Sequence, residues 1–117
     1  MSEDVCQIQV SHSDRAALEA LIEELLERRL IACGQVLGPV SSCFRWEGRV
    51  EHEQEWLALL KTAAARAAEV EALIVERHPY EVPEILVTAV SGGHEPYLRW
   101  VLDQTSGGLR GATPGYA

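Results

Sequence analysis

The chain has 117 residues, of which 47% are hydrophobic and 24% are charged, and its formal net charge is −8 at pH 7. This length and balance predict one folded domain rather than a disordered chain. The acidic charge argues against nucleic acid and anionic membranes as partners. No apolar run approaches the roughly 18 residues that a membrane-spanning helix needs.

Cysteine usage and the N-terminus bear on the compartment. The three cysteines, Cys6, Cys33 and Cys43, are widely spaced and odd in number, which does not suit a disulfide framework. The acidic N-terminus has no apolar segment typical of a signal peptide. We therefore expect a cytoplasmic protein with reduced thiols.

The first third of the chain predicts a strand and then an amphipathic helix. Apolar residues alternate from Val5 to Ser11, as in a half-buried strand. From Ala16 to Leu30, leucine and isoleucine recur at helical spacing, with Ser13 as the predicted N-cap.

A long β-hairpin is predicted next. The extended stretch from Ala32 to Trp46 contains Pro39, which marks an edge strand or a bulge. Glu47-Gly48 is typical of a hairpin turn, of two or of four residues. The second strand, from Arg49 to Lys61, alternates so that one of its faces carries Glu51, Glu53 and Glu55. The polar tip is too long for one small core to cover, so we expect it to reach another subunit.

The second half predicts a helix, a strand and a further helix. Thr62 is the predicted cap of a helix from Ala63 to Arg77, which His78-Pro79 ends because the residue before proline avoids helical geometry. Ile85 to Val90 has the character of a buried strand. Pro96 is well placed at the start of the third helix.

The order β-α-β-β-α-β plus a C-terminal helix predicts a ferredoxin-like α+β sandwich with a long central hairpin. We expect one domain over residues 1–117, with residues 105–117, rich in glycine and serine, as a flexible tail. Both main helices would cover one face of an antiparallel sheet. We expect a neighbouring subunit to cover the other face.

Three segments resemble motifs of the CutA divalent-cation-tolerance family. Residues Glu27 to Cys33 are similar to the family's helix-to-strand junction E-x-L-A-A-C. Residues Ser42 to Glu51 resemble S-x-Y-R-W-E-G-K-x-E, and residues His78 to Glu84 read HPYEVPE, the family's most specific string. The resemblance extends over about residues 5 to 104.

This resemblance implies a homotrimer with the fold of PII signalling proteins and a role in tolerance to copper and other divalent cations. The sequence carries no nucleophile elbow and no glycine-rich phosphate loop, so we expect neither catalysis nor an organic cofactor. Some positions depart from the family pattern. Phe44 replaces a tyrosine, and Cys43 and His94 are unusual residues that could add soft metal ligands.

Cys33 and His78 lie in matched motifs and are the main candidate ligands for copper or zinc, with Glu84 as a nearby carboxylate ligand. Each has a structural alternative, since cysteine is often a small core hydrophobe and histidine before proline often ends a helix. No spacing gives a four-ligand set within one chain. A metal site would have to form between elements or between subunits.

A binding pocket is a second possibility, and its candidate residues are Trp46, Lys61, Tyr80 and Glu84. Two prolines stiffen the loop that carries Tyr80 and Glu84. Alternatively these residues join subunits, with Glu84 paired to Lys61. Three functions therefore stay open: a trimer that binds a divalent cation, a PII-like sensor that binds a small anionic metabolite in clefts between subunits and signals to a partner, or a stable scaffold for other proteins. The glutamate row on the hairpin is either a solvated face or a cation site.

Overall fold

A computed structural model describes residues 4–106. In chain order it contains β1 (Val5–His12), α1 (Arg15–Glu27), β2 (Cys33–Trp46), β3 (Arg49–Ala63), α2 (Ala67–Arg77), β4 (Ile85–Ala89) and α3 (Glu95–Gln104). The predicted order of strands and helices is confirmed. Most of the predicted tail, residues 107–117, lies outside the described residues.

The four strands form one antiparallel sheet in the order β2-β3-β1-β4. One face of the sheet packs against α1 and α2, as predicted, and the ferredoxin-like fold is confirmed. The core between them contains side chains that are almost completely buried, among them Ile8, Leu18, Leu25, Leu60 and Ile74. Their alternation in strands and their helical spacing in α1 and α2 are the patterns that predicted these elements.

Helix α3 covers the base of the opposite face. Its Val101 packs with Val5 and Ala32 in a second, smaller core, and its Tyr97 hydroxyl lies 3.3 Å from the Cys33 sulfur. The expectation that a neighbouring subunit covers this whole face was therefore too broad, because the chain supplies its own cover at the base.

The hairpin turn has two residues rather than four. Glu47 and Gly48 both adopt positive φ angles, 50° and 81°, which is the conformation of a two-residue turn between twisted strands. The register of β2 against β3 shifts between Leu37 and Val40, so the irregularity predicted at Pro39 is confirmed. Of the residues of β3, only those from Trp56 to Ala63 pair with β1. The remainder of the hairpin extends beyond β1.

The ends of α1 differ from the prediction. Asp14, rather than Ser13, is the N-cap, and its Oδ1 accepts a hydrogen bond of 3.2 Å from the Ala17 amide. The helix ends at Glu27, short of the predicted Leu30, because Arg29 takes a left-handed conformation with φ 58°. Leu30 is nevertheless buried.

Thr62 was wrongly predicted as the cap of α2. It belongs to β3, is fully buried, and donates its hydroxyl to the Leu30 carbonyl at 2.6 Å. A short 3₁₀ turn from Ala64 to Arg66 follows before α2 begins at Ala67. The strand continues through Thr62 because β1 offers it a partner, Cys6.

Two predictions near the C-terminus also need correction. Strand β4 was expected to be buried, but most of its residues are exposed because it forms an edge of the sheet. Thr105 was expected in the flexible tail, yet it is 3% exposed and its hydroxyl donates to the Val101 carbonyl at 3.0 Å.

Gly34 provides a test of the packing between α1 and the sheet. A Cβ atom there would lie 2.9 Å from Ile22 Cγ2 and 3.0 Å from Leu60 Cδ2. We expect Gly34→Val to lower the free energy of unfolding by about 1–3 kcal/mol through overpacking, measured by chemical denaturation. Gly92→Val is the matched control, because a Cβ at Gly92 meets nothing within 4 Å.

Adding Ile22→Ala to Gly34→Val should make room for the new side chain. The double variant should therefore lose less stability than the sum of the two single changes. Strict additivity would contradict the proposed crowding.

Candidate functional site

A cavity of about 750 Å³ lies beside the outer part of the β2–β3 hairpin, the end of β1 and the loop 79–84. Its lining is acidic and aromatic. The carboxylates are Glu51, Glu53, Glu55, Glu81 and Glu84, and the aromatic side chains are Phe44, Trp46 and Tyr80. Among the described residues that line it, none is a lysine or an arginine.

Strand alternation places three of these carboxylates together. Glu51, Glu53 and Glu55 occupy every second position of β3 and so share a sheet face. The predicted grouping of these three glutamates on one face is confirmed. The prediction that the face is solvated is wrong for Glu55, whose side chain is only 6% exposed. Phe44 lies opposite Glu51 on β2, which brings the aromatic wall next to the carboxylates.

Glu55 is held by Tyr80. The Tyr80 hydroxyl donates to Glu55 Oε2 at 2.7 Å. Burial raises the pKa of Tyr80 most, a hydrogen bond with Ser13 opposes this, and the bond to Glu55 raises the pKa further. The phenol therefore stays protonated at neutral pH, and a buried carboxylate keeps its donor. Glu84, on the same cavity, accepts a 2.8 Å bond from the Gln9 amide.

Two buried histidines lie behind Tyr80. The rings of His12 and His78 have centroids 4.5 Å apart, and His78 meets the Tyr80 ring edge-on, also at 4.5 Å. His78 Nε2 donates to the Ser11 carbonyl at 2.7 Å, and its Nδ1 accepts from the Tyr80 amide at 3.2 Å. Because a carbonyl can only accept and an amide N–H can only donate, His78 is the neutral Nε2–H tautomer.

His12 is neutral for a related reason. Its Nδ1 accepts a 2.9 Å bond from the Asp14 amide, at the start of α1. Burial lowers the pKa of His12 most and the nearby His78 lowers it further, while Asp14 and Glu55 act in the opposite direction. Protonation at Nδ1 would break the bond to Asp14 and place a positive charge beside a second imidazole.

The three candidate metal ligands lie in different places. Cys33 is at the base of the sheet, next to α3 and in register with Lys61. The ring of His78 contacts that of His12, which pairs with Trp56 of β3. Trp56 lies five positions from Lys61, so Cys33 and the two histidines are separated by about 17 Å along the sheet. Glu84 lines the cavity, and both nitrogens of His78 are already engaged. Within residues 4–106, no three side chains of His, Cys, Asp or Glu are arranged to hold a metal ion.

The candidate pocket residues are partly brought together. Trp46, Tyr80 and Glu84 line the cavity, whereas Lys61 does not. Within one chain Lys61 donates to Gln35 and Glu84 accepts from Gln9, so a pair of Lys61 with Glu84 stays a prediction about two subunits.

Of the two unusual residues, Cys43 also lines the cavity. His94 is the N-cap residue of α3 and is exposed.

Sequence reasoning missed His12 as a site residue and missed the burial of Glu55. Glu55 continues a row of glutamates that otherwise reads as polar surface, and nothing local indicates its contact with Tyr80. For His12 a signal was present, because the alternation of β1 continues through it and places it on the core face with Val10.

A family profile described as "CutA1 divalent ion tolerance protein" matches residues 6–104. The chain belongs to the CutA1 family. It is 36% identical to the divalent-cation tolerance protein CutA of Pectobacterium atrosepticum over 98 residues, which cover 84% of this chain and 89% of that protein. It is 33% identical to the CutA of Thermus thermophilus over 103 residues, covering 88% and 98% of the two chains.

The fold agrees with solved CutA structures. The crystal structure of CutA from Xylella fastidiosa matches with a TM-score of 0.84 at 32% identity, over 87% of this chain and 98% of that one. The predicted family is thus confirmed. The names of these relatives denote tolerance proteins and not enzymes. Within residues 4–106, no helix has both the length and the apolar character needed to cross a membrane.

The neutral His12 makes the stability of this CutA1 protein depend on pH. Its pKa is lower in the folded chain than the ordinary value near 6.5, so the unfolded chain binds more protons as the pH falls through that value. We expect the free energy of unfolding to decrease from pH 7.5 to pH 5.5. His12→Asn, which keeps an acceptor but does not titrate, should show a smaller decrease in chemical denaturation.

His94→Asn is the matched control at an exposed position, and it should retain the pH dependence of the unaltered protein. The same decrease in His12→Asn as in the unaltered protein would show that His12 is not the responsible group.

Proposed function

We propose that this CutA1 protein acts in divalent-cation tolerance as a homotrimer that binds a divalent cation at the carboxylate-lined cavity. The observation that carries the proposal is the lining itself, in which five glutamates face one cavity without a described lysine or arginine among them. Such a cavity focuses negative potential and raises the local concentration of cations. The family assignment supports the same role.

The proposed site is completed by a second subunit. The described part of a single chain has no three donors in place for an ion, although its carboxylates lie around one space. The outer hairpin also leaves Phe44 and Trp46 each 40% exposed at that space. A neighbouring chain that covers these aromatic side chains would bring further oxygen ligands to the cavity.

Copper and zinc are the ions that we propose to test first, with Glu84 as the candidate ligand on the cavity. His78 would have to give up its bond to Ser11 or to Tyr80 in order to bind a metal, and Cys33 would need a separate site at the base of the sheet. We propose no catalytic activity and no organic cofactor. A cytoplasmic location is part of the proposal and is supported by three unpaired cysteines.

The alternative function, a sensor of a small anionic metabolite, is disfavoured by the charge of the cavity. An anionic group placed there would meet five carboxylates. Like charges repel strongly when they are partly removed from water. No described lining residue offers a compensating positive charge.

The cation proposal can be tested by calorimetric titration with Cu²⁺ and Zn²⁺. We expect the double variant Glu53→Gln/Glu84→Gln to bind these ions at least about tenfold more weakly. Loss of a metal ligand, or of a residue that hydrogen-bonds to a ligand, commonly lowers metal affinity by that factor. The matched control is Glu71→Gln/Glu76→Gln, which removes the same charge from exposed positions of α2 and should bind nearly as the unaltered protein does.

The same titration ranks the candidate metal ligands that the sequence predicted. We expect His78→Ala, which frees the loop that holds Tyr80 and Glu84, to weaken binding more than Cys33→Ser or Cys6→Ser. Equal affinity in all variants and in the control would mean that the acidic surface binds ions without a site, and the proposal would fail.

The trimer can be tested by sedimentation equilibrium at micromolar concentration. Trp46 lies at the hairpin tip, and burying an aromatic side chain is worth roughly 1.5–3 kcal/mol, so Trp46→Ala should lower the trimer fraction. Trp100 packs against the small core beneath α3, so Trp100→Ala should destabilise the chain and leave assembly less affected. A monomer in the unaltered protein would contradict the proposed trimer.

A further inference from the structure

The β2–β3 hairpin carries a cysteine and a histidine directly opposite each other. Cys43 and His52 are cross-strand partners, and the Cys43 sulfur lies 3.2 Å from His52 Nδ1. Both residues are exposed. We propose that Cys43 and His52 chelate a thiophilic divalent cation of the zinc type. Cys43 also lines the carboxylate cavity, but His52 alternates with Glu51 and Glu53 along β3, so the pair belongs to the opposite face of the hairpin.

The spacing of the two donor atoms fits this chemistry. Zinc bonds of about 2.3 Å to sulfur and about 2.0 Å to nitrogen, at a tetrahedral angle, separate the two ligand atoms by about 3.5 Å. The observed 3.2 Å is within about 0.3 Å of that value. The two donors therefore need only a small side-chain adjustment, and water can fill the remaining positions because the site is exposed.

The hairpin holds the pair in register. From Val40 to Trp46, β2 pairs with β3 without a further shift, up to the two-residue turn. Cross-strand neighbours in such a ladder stay within reach of each other. The chelate is thus built on regular strand backbone rather than on a loop.

Accessibility distinguishes Cys43 from the other two cysteines of the chain. Cys6 is 2% exposed in the core, and burial raises the pKa of its thiol. Cys33 is half-buried and lies against the Tyr97 hydroxyl. Cys43 is the exposed thiol, so a metal ion in solution reaches it without disturbing the fold.

The binding step balances without a further reactant. The Cys43 thiol loses its proton to solvent and its sulfur bonds to the ion as thiolate, while neutral His52 supplies the lone pair of Nδ1. Thiolate and imidazole favour zinc-like ions, whereas carboxylates accept both these and harder ions. The hairpin pair would therefore be the more selective of the two sites for zinc-like ions.

Cobalt(II) is a suitable spectroscopic probe, since a bond from thiolate to cobalt produces a charge-transfer absorption band. We expect the unaltered protein to develop this band with one cobalt per chain and to lose it when Zn²⁺ is added. Cys43→Ser should abolish the band, and His52→Gln should weaken cobalt binding by at least about tenfold.

Two controls separate this site from the others. Cys33→Ser and Glu84→Gln should both keep the cobalt band. Because Glu84 belongs to the carboxylate cavity, the Glu84→Gln variant keeps the band even if the cavity binds no cation. Because Cys43 and His52 are exposed, their variants should fold with an unchanged circular dichroism spectrum. No band in the unaltered protein, a band that depends on Cys33, or one cobalt per two or three chains would overturn the proposal.

Discussion

The unequal length of the strands governs the rest of this structure. Strands β2 and β3 have 14 and 15 residues, while β1 has 8 and β4 has 5. The base of the hairpin is therefore part of a four-stranded sheet covered by helices, but β1 does not pair with its outer part. The aromatic side chains, the glutamate row and the pair Cys43–His52 all lie on that outer part. The features that suggest function thus sit where one chain cannot form a core.

Tyr80 connects the core side of the sheet to the cavity. Its backbone amide donates to His78, its ring meets the same imidazole, and its hydroxyl holds Glu55. His78 in turn is fixed to the carbonyl of Ser11. The position of a cavity carboxylate therefore depends on the hydrogen bonds of the histidine that follows α2. A change in those bonds would reach the cavity through a short path of direct contacts.

Much of the fold could be predicted from the sequence because its patterns are local. Alternation in β1 and β3 and the helical spacing of α1 report directly which side chains face the core. Thr62 was misassigned because a threonine can cap a helix or extend a strand, and only its distant partner Cys6 decides between them. For the site, residue types suggested joining Cys33 with His78, yet strand register places them at different ends of the sheet. Burial of Glu55 depends on a contact with Tyr80, which no local pattern contains.

The irregularity in β2 has a consequence for self-association in fibres. Strand β2 is an edge of the sheet, and a long edge with free backbone amides can serve as a template for strands from other molecules. Gly38 and Pro39 interrupt it at the shift between Leu37 and Val40, and proline has no amide hydrogen to offer. A foreign strand that adds to this edge cannot form one continuous ladder along its length. The hairpin can therefore remain long and accessible for specific partners without favouring open-ended aggregation.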